Sequence, residues 1–320
     1  MTTLLFARLT APLEGGETGR AAFARARDWA RAAHRAGIDA VLLDDRQCTG
    51  PDGARAFEAG TLAAALAVST EGIGLVPTIS TGQLAPYHVA RLLATIDYLS
   101  GGRAGWEVRA PGDEAEAANY RAGDVGGADR QLARAEEFAQ VLAGLWDSFQ
   151  DDAFLRDRES GIYFLPERLH ALNHVGEHFD VAGPLNIARP PQGHPVLVKR
   201  ITGTGTAEFA GRVADVAVVP NDQAEEVAEI RHAVTAAATG AGRRPEDVRI
   251  LLEQSADTPV EQLTGLAGSG LVDGFTLSAP DADALVDSAT AVRRHLPAAS
   301  GGTLRARLGL PRPVGKQPVA

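Results

Sequence analysis

Residues 199–206 read Lys-Arg-Ile-Thr-Gly-Thr-Gly-Thr, a stretch with the composition of an anion cradle. Gly203 and Gly205 permit close backbone approach, and Thr202, Thr204 and Thr206 bring hydroxyls. If a helix begins here, its free N–H groups favour a phosphate, and Lys199 and Arg200 add positive charge. The plain alternative is an ordinary strand-to-helix loop with a threonine cap. The spacing matches neither a Walker loop nor a dinucleotide fingerprint. Asp44 and Asp45 are adjacent, so on a strand they would point to opposite faces and would not form an acid–base couple. Trp106 could stack on a flat ring, or pack in the core. His88, just after Pro86-Tyr87, is the candidate general base or proton donor, or else makes a local hydrogen bond. His170, His174 and His178 recur every four residues, but Gly176 interrupts any helix there. They read as capping and packing histidines, and no metal site is expected. No Ser/His/Asp or Cys/His constellation has diagnostic spacing.

These residues must be held by a scaffold, and the scaffold has a clear period. The 320 residues are 45% hydrophobic and 22% charged, the balance of a globular chain rather than a disordered one. Short apolar runs alternate with amphipathic, alanine-rich stretches. The runs Leu4–Leu9, Asp39–Leu43, Ile73–Ile79, Gly105–Val108, Val196–Val198, Val216–Val219, Val248–Leu252 and Gly274–Leu277 read as strands. Helices are expected over 20–36, 58–69, 86–99, 129–149, 206–214, 224–239, 259–267 and 282–295. Eight strand–helix pairs predict a parallel (β/α)8 barrel. The rival, an open doubly wound sheet, would carry a glycine-rich turn after the first strand, and Thr10–Glu14 offers none. One domain is expected over 1–320, with an irregular excursion at 151–195 and a Pro- and Arg-rich tail at 303–320 that reads as a surface wrap. In a barrel, chemistry belongs at the strand ends: Asp44/Asp45, Thr78–Thr81, Trp106–Ala110, Lys199–Gly205, Pro220–Asp222, Glu253–Ser255 and Ser278–Pro280.

The net charge of −10 and the absence of a basic stripe argue against nucleic acid. No stretch is long and apolar enough for a membrane span, and no signal peptide is read at the N-terminus. The single cysteine, Cys48, excludes an internal disulfide framework. A cytoplasmic location is expected.

Several stretches, in order along most of the chain, resemble one family. They are Gly37–Asp45 (GIDAVLLDD), Gly74–Thr81 (GLVPTIST), Pro86–Trp106, Leu145–Ser148 (LWDS), His174–Phe179, Gly183–Asn186 (GPLN), Pro191–Gly193 (PQG) and Thr303–Pro313. Together they are similar to the nitrilotriacetate, EDTA and dibenzothiophene-sulfone monooxygenase branch of the bacterial luciferase-like flavin monooxygenases. The resemblance implies a luciferase-like TIM barrel, reduced FMN delivered by a separate flavin reductase, oxygen activation at the flavin, and homo-oligomers. It sets Asp45, Thr78 and Thr81 near the flavin ring. It also marks departures: Glu107 and Ala110 stand where the family has an amide and a hydroxyl, Leu132 where it has a phosphate-binding tyrosine, and Gly203 where it has a phosphate-loop serine. A long family insertion is missing near Ser255–Thr258. The implied consequence is a phosphate site rebuilt on Lys199, Thr202, Gly203 and Thr204. The expected function is a flavin-dependent monooxygenase acting on a small organic substrate. The alternatives are a degenerate barrel serving as a partner subunit without redox activity, and use of the deazaflavin F420.

Overall fold

A computed structural model describes residues 2–9, 13, 16–48, 56–109, 114–120, 126–299 and 301–315. Along the chain it runs β1 (Leu4–Leu9), α1 (Gly19–Arg35), β2 (Ala40–Leu43), α2 (Ala59–Ser69), β3 (Gly74–Ser80), α3 (Pro86–Ser100), β4 (Gly105–Arg109), α4 (Glu114–Asn119) and α5 (Ala128–Trp146). A short hairpin follows, β5 (His174–Val175) and β6 (Asp180–Val181). Alternation resumes with β7 (Val196–Arg200), α6 (Thr204–Val213), β8 (Val216–Val219), α7 (Val227–Gly240), β9 (Arg249–Ser255), α8 (Val260–Gly268), β10 (Gly274–Ser278), α9 (Ala282–Arg293) and α10 (Leu304–Arg307). The strands close in the order β1-β10-β9-β8-β7-β4-β3-β2, all parallel, as the eight strand–helix pairs predict.

Helix ends follow local chemistry. The Thr18 side chain accepts from Ala21 N–H and starts α1, whose buried Ala22, Ala26, Ala30 and Ala33 make a small-residue stripe against the barrel. Pro86 opens α3, and Gly101 at φ 67° closes it in the left-handed conformation that glycine adopts without penalty.

Strand alternation divides the core. Outward-facing residues pack under the helices in one large cluster. Inward-facing residues, among them Leu4, Phe6, Ala40, Leu42, Val76, Val196, Val198, Val216, Val218 and Leu251, fill the barrel. Leu304, Leu308 and Leu310 belong to this inner cluster. The expectation of a surface wrap for the tail is therefore corrected: its α10 segment plugs the end of the barrel where the strands begin. Arg305 anchors it with two hydrogen bonds to Asp215, at 2.9 and 2.6 Å. A Cβ on Gly74 would lie 2.8 Å from Leu304 Cδ1, so glycine at that point lets the plug seat.

The excursion is also more ordered than expected. Glu137 on α5 accepts from the backbone N–H groups of His178 and Phe179, both at 2.9 Å, and pairs with His174 Nε2 at 2.9 Å. Those bonds clamp the β5–β6 hairpin to α5. His170 instead contacts Gln150.

Candidate active site

Above the apolar layers, the next inward-facing residues are charged. Arg8 from β1 reaches across the barrel. Its guanidinium contacts the Asp44 carboxylate, donates to both oxygens of Glu107 at 3.2 and 3.3 Å, and donates to Glu253 at 2.9 Å. Thr78 Oγ1 donates to Glu107 at 3.0 Å, and Arg200 grips both oxygens of Glu253. The result is one polar layer of three carboxylates and two guanidinium groups, closing the barrel at the strand ends. Burial opposes the charge on Arg8, but Glu107, Asp44 and Glu253 outweigh it and raise its pKa above the ordinary value. Burial, reinforced by Glu107 and Glu253, pushes the Asp44 carboxyl up against the pull of Arg8. Burial works the same way on Glu253, where Arg200 and Arg8 win and its pKa falls.

The β7–α6 turn forms the adjoining rim. Thr202 to Gly205 are exposed, and no side chain caps α6. Thr206 staples the turn to itself: its hydroxyl accepts from Thr202 N–H and donates to the Gly203 carbonyl. Gly203 has φ 151°, which L side chains rarely adopt, and a Cβ there would meet nothing within 4 Å. The space in front of the helix start is therefore open. Leu132 on α5 lies against this turn, since a Cβ on Gly205 would be 3.2 Å from Leu132 Cδ1. It borders the site without contributing a hydroxyl.

The structure brings Thr78, Glu107, Thr202, Gly203 and Thr204 to the strand-end face and turns two other expected residues away. Alternation along β4 sends Glu107 inward and Trp106 outward. Trp106 is fully buried, its ring 6.2 Å from that of Phe138, so of its two readings the structure gives the core contact and not a cofactor-facing ring. Alternation along β7 sends Val198 and Arg200 inward and Lys199 outward. Lys199 is buried over the Phe209 ring, with Nζ 3.4 Å from the Val108 carbonyl, and burial lowers its pKa to about 8 against partial opposition from Glu107. It stands behind the turn, and Arg200, paired with Glu253, supplies the positive charge at the strand-end face instead. Asp45 accepts from Ala59 N–H at 3.0 Å at the start of α2. Thr81 is fully buried, 3.4 Å from the Arg109 carbonyl. His88 is exposed in the first turn of α3, edge-on to Tyr87, and bonds to no member of the charged layer among the described residues. Ala110 lies outside the described residues.

Arg8 is the residue that sequence reasoning missed. An arginine inside the run Leu-Leu-Phe-Ala-Arg-Leu was the available signal, because Leu4, Phe6 and Arg8 share one face of β1. Residues 256–259 alone join β9 to α8, a short connection at the point where the resemblance implies a missing insertion.

Comparison with known proteins places this architecture. Residues 1–256 match the family described as luciferase-like monooxygenase. The chain is 40% identical over 294 residues to one of the pristinamycin IIA synthase subunits of Streptomyces pristinaespiralis, covering 89% of this chain and 88% of that one. It is 45% identical over 198 residues to nitrilotriacetate monooxygenase component A of Aminobacter aminovorans, covering 62% of this chain. The chain spans only 44% of that relative's length. The solved EDTA monooxygenase from Chelativorans sp. BNC1 superposes with a TM-score of 0.84 at 25% identity, covering 98% of this chain and 99% of that one. Among the described residues no helix is long and apolar enough to cross a membrane. A closed barrel with a polar strand-end layer, matched over four-fifths of its length, identifies this chain as a member of the luciferase-like monooxygenase family.

Proposed function

We propose that the protein is a flavin-dependent monooxygenase that takes reduced FMN from a separate reductase and oxidises a small organic substrate at the strand-end face. The observation that carries this reading is the uncapped, glycine-lined start of α6, on the same strand-to-helix turn that follows Arg200 of the charged layer. Its donor set suits a phosphate: exposed backbone N–H groups, the hydroxyls of Thr202 and Thr204, and the positive end of the helix. Reduced FMN, when bound, supplies the electrons with which dioxygen is activated.

The protein's own residues do the rest. The α6 start binds the phosphate and so fixes the orientation of the cofactor. Arg8 and Arg200 offset Glu107 and Glu253, whose carboxylates would otherwise repel an anionic cofactor. Thr78 holds Glu107 in the layer. The exposed Val68, Tyr98 and Leu99 on α2 and α3 support association of copies into a homo-oligomer, a state that light scattering reads directly.

The test is equilibrium titration with FMN, reduced FMN and riboflavin. Hydrogen bonds to a charged group contribute about 1.5–3 kcal/mol each, so the phosphate should improve affinity over riboflavin by about 10- to 100-fold or more. Gly203→Val, which forces a side chain onto a φ that valine resists, should abolish most of that preference. Equal affinity for riboflavin and FMN in the parent would remove the phosphate site, and no binding of any flavin would remove the reading itself.

A further inference from the structure

A second concave site lies on the outer shoulder of the barrel, away from the α6 turn. The segment after β3 and the β5–β6 hairpin face one another across α5 and border an open cavity of about 530 Å³. That is the size of a pocket for a small organic molecule. Leu84, Tyr87 and Phe179 give it apolar walls, and Arg134 and His178 are also among its lining residues. Two sets of contacts build the cavity: Glu137 holds the hairpin to α5, and Tyr87 donates to the Pro184 carbonyl at 3.3 Å on the opposite wall.

Two features of the lining remain unanswered by the protein itself. Among the described residues no carboxylate lies within 4.0 Å of the Arg134 guanidinium. Its hydrogen bonds are two long ones to carbonyls, His178 and Gly82, both at 3.5 Å, and it sits 4.2 Å over the Phe179 ring. Burial pushes its pKa down, with Glu137 only partly opposing. His178 is the second feature. Its side chain is 6% exposed, its Nε2 has no hydrogen-bond partner, and the nearest carboxylate, Glu177, is 4.0 Å away. The Arg134 guanidinium, at the edge of a cavity and without an acid, lacks an anionic oxygen, while the His178 nitrogen is sealed behind it. Aromatic walls add a preference for a flat apolar body. Asp180, on the exposed lip, would repel a second negative charge.

We propose that this cavity is a second ligand site, which takes a small organic monoanion with a flat apolar body, its acid group held by Arg134. The site is independent of the flavin reading. Leu132 faces the α6 turn, and Arg134 comes two residues later, a rotation of about 200° around α5. The two sites therefore lie on opposite sides of one helix.

Benzoate serves as the probe, and calorimetric titration reads the binding. The parent binds benzoate, and Arg134→Gln weakens it at least tenfold. Leu84→Glu, which sets a competing carboxylate in the cavity, weakens it comparably without removing Arg134, which covers the case in which Arg134→Gln disturbs the hairpin. Phthalate binds several-fold more weakly than benzoate, and Asp180→Asn closes that gap. Saturating FMN leaves benzoate affinity unchanged. The proposal is overturned if the parent does not bind benzoate, if Leu84→Glu binds it as the parent does, or if FMN displaces it. The last result would instead make the cavity part of the flavin site, whereas a parent that binds benzoate but no flavin would overturn only the monooxygenase reading.

Discussion

In the folded chain Lys199 gives up its proton at about pH 8, because burial beneath α6 disfavours the ammonium form. An unfolded lysine holds its proton to about pH 10.4, so folding in this interval releases it. The direction follows: the charge costs stability in full below about pH 8, and the cost is relieved as pH rises toward the unfolded value. Lys199→Met should therefore stabilise the protein at pH 7 by about 1–3 kcal/mol, and the advantage should shrink by about pH 9.5. Urea titrations at the two pH values measure this, and a constant difference would show that the ammonium charge is not the cause. Arg8 has the opposite character. Arg8→Met leaves Asp44 and Glu107 facing each other without their cation, at about 2–4 kcal/mol given that Arg8 is a fifth exposed. Adding Glu107→Gln should recover part of that loss, since it removes one of the stranded charges. Failure of the double variant to recover any stability would mean that Arg8 acts by packing alone. Such a cluster is hard to see in a sequence. The partners of Arg8 lie 36, 99 and 245 residues away, and only the closed register brings them to one layer. Asp44 and Glu253 are visible as strand-end acids, but their shared cation is not.

At the scale of elements, the apolar runs are a good guide because each strand is buried on both faces and the pattern is nearly continuous. The strand ends are less legible. The apolar run of β7 stops at Val198 while the strand continues to Arg200, and that of β9 stops at Leu252 while the strand continues to Ser255. The added residues are polar, which is why hydrophobicity loses them, and they include the Arg200–Glu253 pair. The β5–β6 hairpin has two-residue strands, too short to show a period. The tail misleads for another reason: its prolines and arginines dominate the composition, while Leu304, Leu308 and Leu310 do the packing. Leu304 is fully buried inside the barrel. Leu304→Ala should cost about 2–5 kcal/mol, read as a lower denaturation midpoint with an unchanged slope. A loss below about 0.5 kcal/mol would return the tail to the status of a surface wrap.

For the whole molecule, closure is legible from counting: eight strand–helix units in one chain leave few other arrangements. What the count cannot give is the way the two ends of the barrel are sealed. One end is closed by charge and the other by leucines, and the sealing residues come from distant parts of the sequence. The reading of residues 1–320 as one domain draws its support from this: α10, which follows all eight barrel strands, packs inside the sheet that β1 opens. The order of synthesis gives that stopper a further meaning. A ribosome releases β1 first and Leu304 after every stave has emerged, so a nascent chain can assemble all eight and still have a hollow base. Until those leucines arrive, Leu4 and Leu251 stay wet. Cooperative folding must therefore wait for Leu304 to leave the exit tunnel, and chains truncated before it should fall to chaperones and proteases rather than persist as smaller barrels.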